Sequence, residues 1–213
     1  MRTKTLILIA AIVSLLGCSA YGIDAKPLTG SDKVFHYSGM SFGIPILKAS
    51  IRIEGGTSEQ GRPIYQIRAS IYSLDYLKFL FRINNRFLST VDAETLAPVQ
   101  YIKEIHQQGL LSKKKDYIQT LTFDHSNKKL IIENQKDGER KEIPLSAGTY
   151  DPLSIFAKHY LKDELHPGQD MEMSIFDGVK FRRMVFCSKK GKAESRTFGE
   201  AEALCLESSS SFS

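Results

Sequence analysis

Asp151 to Leu165, DPLSIFAKHYLKDEL, is the one convincing helical stretch in a chain that otherwise alternates in short strand-like runs, so the strands must bury their apolar side against it. Asp151 suits the N-cap, and Pro152 suits the first helical position, where its missing N–H is no loss. Leu153, Phe156, Ala157, Tyr160 and Leu161 recur at spacings of three and four and form an apolar stripe, with Lys158, Lys162, Asp163 and Glu164 pointing away. The spacing predicts a helix buried on one face only. His166-Pro167-Gly168 ends it, because Pro167 disfavours helical backbone at the residue before it and Gly168 suits a reversal.

Around this helix the pattern has period two. Leu47, Ala49, Ile51 and Ile53 alternate with Lys48, Ser50 and Arg52, and Tyr65, Ile67, Ala69 and Ile71 repeat the alternation, so each strand has one apolar face. Leu74, Leu77 and Phe81 switch to helical spacing and predict a short helix over 73–82. Strands resume from Arg86, and the Asp137-Gly138 and Asp177-Gly178 pairs favour tight antiparallel turns between them. The expectation is a mainly β (α+β) protein. A curved antiparallel meander or half-barrel of about ten strands wraps the main helix (151–165) and the short one (73–82). One domain is expected over 34–207, followed by a Ser-rich tail at 208–213.

The amino end reads as an address. Arg2 and Lys4, the apolar run Leu6 to Leu16 and the small residues Gly17 to Ala20 have the three parts of an export signal over residues 1–17, with a tether at 18–33. The apolar run is too short to span a bilayer comfortably. Leu15-Leu16-Gly17-Cys18 resembles a bacterial lipobox, which would lipidate Cys18 and anchor the chain to a membrane. Ser19 after it fits the outer membrane. Cleavage after Ala20 or Gly22, giving a soluble periplasmic protein, is the competing reading. Removing Arg2 and Lys4 takes the formal charge from +5 to +3, too balanced to point to nucleic acid. Lys113-Lys114-Lys115 reads as a solvated turn, with a phospholipid headgroup contact as the alternative. Export implies an oxidising compartment, where Cys187 and Cys205 are candidates for a disulfide. A tight hairpin of 179–188 with 197–206 would instead put Cys187 nearer Glu194, leaving two buried thiols.

Several motifs occur in a telling order. Phe35-His36-Tyr37 with Phe42-Gly43-Ile44-Pro45, Asn85-Arg86-Phe87, Val91-Asp92-Ala93-Glu94-Thr95-Leu96-Ala97-Pro98, Asp151-Pro152-Leu153-Ser154 and Phe198-Gly199-Glu200 together resemble the bacterial envelope family known as domain of unknown function 3108. Members of that family usually continue with further strands past the position of Leu206, where this sequence runs Glu207 to Ser213. The resemblance supplies no activity. It implies a fold similar to the envelope carriers of the LolA/LolB type, in which a curved sheet wraps a helix and leaves an apolar cavity.

An apolar sheet with little helix to cover it predicts a hollow that could hold a lipid or acyl chain, lined by Leu47, Ala49, Ile51, Ile53, Tyr65, Ile67, Phe156 and Tyr160. The second reading is a structural or interaction protein of the envelope with a filled core and unnamed protein partners. Enzyme chemistry has no carrier in the sequence. His36, His106, His125, His159 and His166 lack paired metal spacing, no Cys/His metal spacing is present, and no GxSxG elbow occurs. Capping accounts for Asp151 without catalysis. No catalytic residue, metal or cofactor is expected.

Overall fold

The computed structural model describes residues 33–211 apart from 42, 59–60, 111, 162–167, 169 and 196–198. For Ser112, His159, Met171, Phe186 and residues 188–211 it describes the backbone alone. The expected export signal (1–17), most of the tether (18–33), Cys18 and the expected helix end beyond Leu161 lie outside the described residues.

The described residues are mainly β, with two sheets and one α-helix among them. Eight strands follow one another as an antiparallel meander: β1 (Lys33–Ser41), β2 (Ile44–Thr57), β3 (Pro63–Ser73), β4 (Phe81–Asp92), β5 (Pro98–Gly109), β6 (Ser112–Asp124), β7 (Lys129–Asn134) and β8 (Arg140–Pro144). Each pairs with the next, and β1 and β8 are the edges. The chain then forms β9 (Thr149–Tyr150), α1 (Pro152–Leu161), β10 (Asp170–Phe176), β11 (Phe181–Ser195) and β12 (Gly199–Ser211). These last strands make a second sheet in the order β12-β11-β10-β9, with β9 parallel to β10 and α1 as the crossover between them.

The register follows the alternation. Ile53 faces Ile67, Ile51 faces Ala69 and Ala49 faces Ile71, so the apolar residues of β2 and β3 share one face. That face joins Val91, Leu96, Leu121, Leu130 and the Leu153 and Ala157 side chains of α1 in one buried cluster. Leu96 stands in the left-handed region (φ 57°) with its side chain 1% exposed. Burying a leucine contributes about 2 kcal/mol, which offsets the roughly 1–2 kcal/mol that this backbone conformation costs.

Four expectations need correction. The segment 73–82 is not one helix: Asp75–Leu77 forms a 3-10 turn, Lys78–Leu80 continues as turn, and Phe81 already belongs to β4. Its backbone is drawn out by neighbouring turns, with Leu74 N–H donating to the Ile46 carbonyl (3.2 Å) and Leu110 N–H to that of Leu80 (2.9 Å). The helix α1 is buried on two sides. Ile155 turns away from the large sheet and packs with Met173, Ile175 and Met184 of the second sheet, while Tyr160 stays 43% exposed. Ser208–Ser211 is no tail, since it continues β12 opposite Phe186 to Arg183, a pairing that asks only for backbone donors and acceptors. The β11–β12 hairpin is longer than expected, which places Cys187 opposite Glu207 and Cys205 opposite Lys189 rather than Cys187 near Glu194. The Cys205 side chain lies outside the described ones.

Candidate functional site

A single row of side chains crosses seven strands on the covered face: Phe35, Ile51, Ala69, Phe87, Lys103, Gln119 and Asn134 are successive cross-strand partners. The row is apolar from β1 to β4 and polar from β5 to β7. The apolar half meets α1, where Phe35 packs edge-on against Phe156 (centroids 5.3 Å apart). The polar half meets the Asp177-Gly178 turn between β10 and β11.

At that turn Lys103, 4% exposed, donates from Nζ to the Asp177 carbonyl at 3.0 Å and lies 5.6 Å from the Tyr117 ring centroid. Burial pulls the Lys103 amine below its ordinary range, against the pull of Asp177 the other way. Gln119 Nε2 donates to Asn134 Oδ1 (3.0 Å), while Gln119 Oε1 is buried without a partner among the described residues. Asp177 is itself buried. Its Oδ2 accepts from Arg182 Nε (3.0 Å) and Nη2 (2.9 Å), and its Oδ1 from the Val179 and Lys180 amides. Gly178 has φ 89°, and a Cβ there would stand 2.2 Å from Gln119 Oε1 and 2.8 Å from Lys103 Nζ, so only glycine lets the turn seat itself.

A second buried carboxylate starts α1. Asp151 Oδ1 accepts from the Leu153 (2.8 Å) and Ser154 (3.0 Å) amides as an N-cap, and its backbone N–H donates to Ser154 Oγ (3.0 Å). Its other oxygen accepts from Ser89 Oγ of β4 at 2.7 Å. Burial raises the Asp151 carboxyl despite these donors. Tyr101, cross-strand from Ser89, has its phenol pushed up by burial and then by the carboxylates of Asp151 and Asp177. Ser89, Tyr101, Lys103, Gln119, Asp151 and Asp177 are closed off from solvent, and their bonds hold sheet, turn and helix together. The seam fastens the two sheets.

The accessible polar site is elsewhere. The β4–β5 ladder skips Asn84 and Asn85, and the Asn85 side chain takes the His106 N–H in place of a backbone carbonyl (3.2 Å). Beside this opening lies a cleft of about 520 Å³ lined by Tyr72, Asp75, Lys78, Arg82, His106 and Lys114, among others. His106 bridges two carboxylates, with Nε2 2.7 Å from Glu104 Oε1 and Nδ1 2.8 Å from Asp116 Oδ1. Glu104 and then Asp116 raise its pKa above the usual 6.5. Lys78 pairs with Asp75 (2.6 Å) and Lys114 with Asp116 (2.9 Å). The mixture suits binding of a polar or charged group.

The residues expected to line a hollow share the covered face but not one environment. Ile53 and Ile67 are fully buried in the cluster with Leu153 and Ala157, and Ile51, Tyr65 and Phe156 pack against it. Leu47 and Ala49 are half-buried, and Tyr160 is exposed at the side of Phe35 and Phe156. Among the histidines, His125 Nε2 lies 2.7 Å from the Pro98 carbonyl oxygen and His36 is exposed, while His166 and the His159 side chain are outside the described residues. Among the described residues no group of three His, Cys, Asp or Glu gathers as a metal site. Sequence reasoning missed Ser89, Lys103, Gln119 and the His106 bridge. The polar residues at inward positions of β4 to β6 were the available signal.

No curated protein matches the chain. Among solved structures, the β-barrel-like protein of domain of unknown function DUF1849 from Brucella abortus is similar at 9% identity and a TM-score of 0.47, over 85% of this chain and 80% of that one. The profile of the family described as protein of unknown function, DUF3108, matches residues 34–210, and the chain belongs to that family.

Proposed function

We propose that this chain is a non-catalytic protein of the cell envelope that works through its surface, its interior serving as packing. The supporting observation is the division of the cross-strand row from Phe35 to Asn134: its apolar half packs on α1 and its polar half is capped by the Asp177-Gly178 turn. A cover fitted residue by residue to what lies beneath it favours a closed core over a carrier's exchangeable cargo. The envelope address rests on Arg2 to Ala20, and membrane attachment on Cys18 as lipid acceptor.

Crosslinking in intact cells tests this reading. A surface-acting protein gives dominant, saturable products, to a protein or to phospholipid, that shift when cleft residues such as Arg82 carry the crosslinker. A carrier of the LolA/LolB type, the competing reading, gives only weak and varied products, and its acyl ligand appears bound beneath α1.

A further inference from the structure

Neighbouring turns at one end of the large sheet push large apolar side chains into solvent. The connection from β3 to β4 exposes Tyr76, Phe79 and Leu80, and the turn from β5 to β6 exposes Leu110; Phe79 and Leu110 are 74% and 76% exposed. The Leu110 N–H bond to the Leu80 carbonyl ties these turns side by side. The β1–β2 turn, with Met40 and Ile44 exposed, joins them through the Leu74–Ile46 backbone bond and the Tyr76 hydroxyl on the Pro45 carbonyl.

Cations flank these tips. Lys78, Arg82 and Lys114 line the cleft that opens beside them, and Lys113 is exposed at the start of β6, just past the turn that carries Leu110. Asp75 and Asp116 pair with Lys78 and Lys114, whereas Arg82 and Lys113 have no ion-pair partner among the described residues, so the rim keeps a positive surplus. Tyr72 and Tyr76, 41% and 53% exposed, supply rings with one apolar and one polar end. Protruding apolar tips, amphipathic rings and then cations match the layering of a bilayer surface from acyl boundary to phosphate. A protein partner would instead favour a continuous apolar patch with depleted lysine.

We propose that this end of the sheet docks on an anionic phospholipid surface, Phe79 and Leu110 entering the acyl boundary while Lys78, Arg82, Lys113 and Lys114 meet headgroup phosphates. The inference rests on the surface-acting reading above and names its partner.

The chain contains no tryptophan, so a single one reports its own position. Phe79→Trp and, as a control outside the proposed patch on the turn between β10 and β11, Val179→Trp (72% exposed at the native valine) are made in full-length protein carrying Cys18→Ser. Vesicles of phosphatidylcholine with and without phosphatidylglycerol are added, some containing brominated chains. The expected result is a blue shift and bromine quenching at position 79 on anionic vesicles, suppressed by salt and absent at position 179. Adding Lys113→Glu and Lys114→Glu should weaken partitioning by more than about tenfold, at roughly fivefold for each cation near an anionic surface. Silence at position 79, or equal changes at both positions, overturns the proposal. A shift at position 79 that needs an envelope protein rather than vesicles overturns it in favour of a protein partner and leaves the surface-acting reading intact.

Discussion

Ser89 Oγ donates to Asp151 Oδ2 at 2.7 Å, joining the middle of β4 to the N-cap of the helix across 62 positions of sequence, with both side chains fully buried. One carboxylate thereby caps α1 with one oxygen and anchors it to the sheet with the other. Ser89→Ala leaves that buried oxygen short of a donor and is expected to cost about 1–3 kcal/mol in urea unfolding. Asp151→Ala removes cap and anchor together and should cost more than Ser89→Ala.

The same carboxylate predicts a pH dependence. Burial lifts its folded pKa above the ordinary value of 3.8, so over the window just above 3.8 the folded state keeps a proton that the unfolded state has released. Its contribution is therefore greatest near and below 3.8 and is lost as pH rises through the folded value. Measured against Asp151→Asn, the wild type should lose relative stability as pH rises from about 4. A pH-independent difference would contradict this.

The apolar half of the architecture was legible in the sequence, and the polar half was not. The alternation from Leu47 to Ile53 and from Tyr65 to Ile71 gave the inward face, and Asp151-Pro152 gave the helix start, because both are local patterns. The burial of Ile155 was missed because a one-stripe helix assumes one cover, and the second sheet that buries it comes later in the chain. Leu74, Leu77 and Phe81 have helical spacing, but the bond from Leu74 to Ile46 of β2 and the pairing of Phe81 with Gly109 of β5 overrode it. Lys103 drew no reading, since one lysine within a strand gives no local sign of burial. Its partner is a carbonyl 74 residues away, which no local pattern encodes.

Gly178→Ala should be severe. An alanine would need φ near 89° and would press its methyl into the buried ends of Gln119 and Lys103. Left-handed strain of about 1–2 kcal/mol and overpacking of about 1–3 kcal/mol predict a loss of roughly 2–5 kcal/mol by urea unfolding. A loss below 1 kcal/mol would mean that the turn does not seat on Lys103 and Gln119.

His106 should titrate above 6.5, held up first by Glu104 and then by Asp116. The sign follows from a raised folded value: the charged bridge contributes fully below 6.5 and is lost as pH rises through the folded pKa. Proton NMR should place the native His106 midpoint above 6.5 and the Glu104→Gln, Asp116→Asn double variant closer to it. An unchanged midpoint in the double variant would refute the bridge.

For the anchor, Cys18→Ser is expected to abolish incorporation of a palmitate analogue in cells. Labelling that persists at wild-type level would refute lipidation at this position.

The most direct test is native mass spectrometry of the protein extracted gently from membranes. A packed core serving a surface-acting protein predicts the mass of the chain with any covalent anchor and no stoichiometric apolar ligand. A one-to-one complex with a lipid or fatty acid, surviving extraction and lost when the cluster around Ile53, Ile67 and Phe156 is altered, would contradict it.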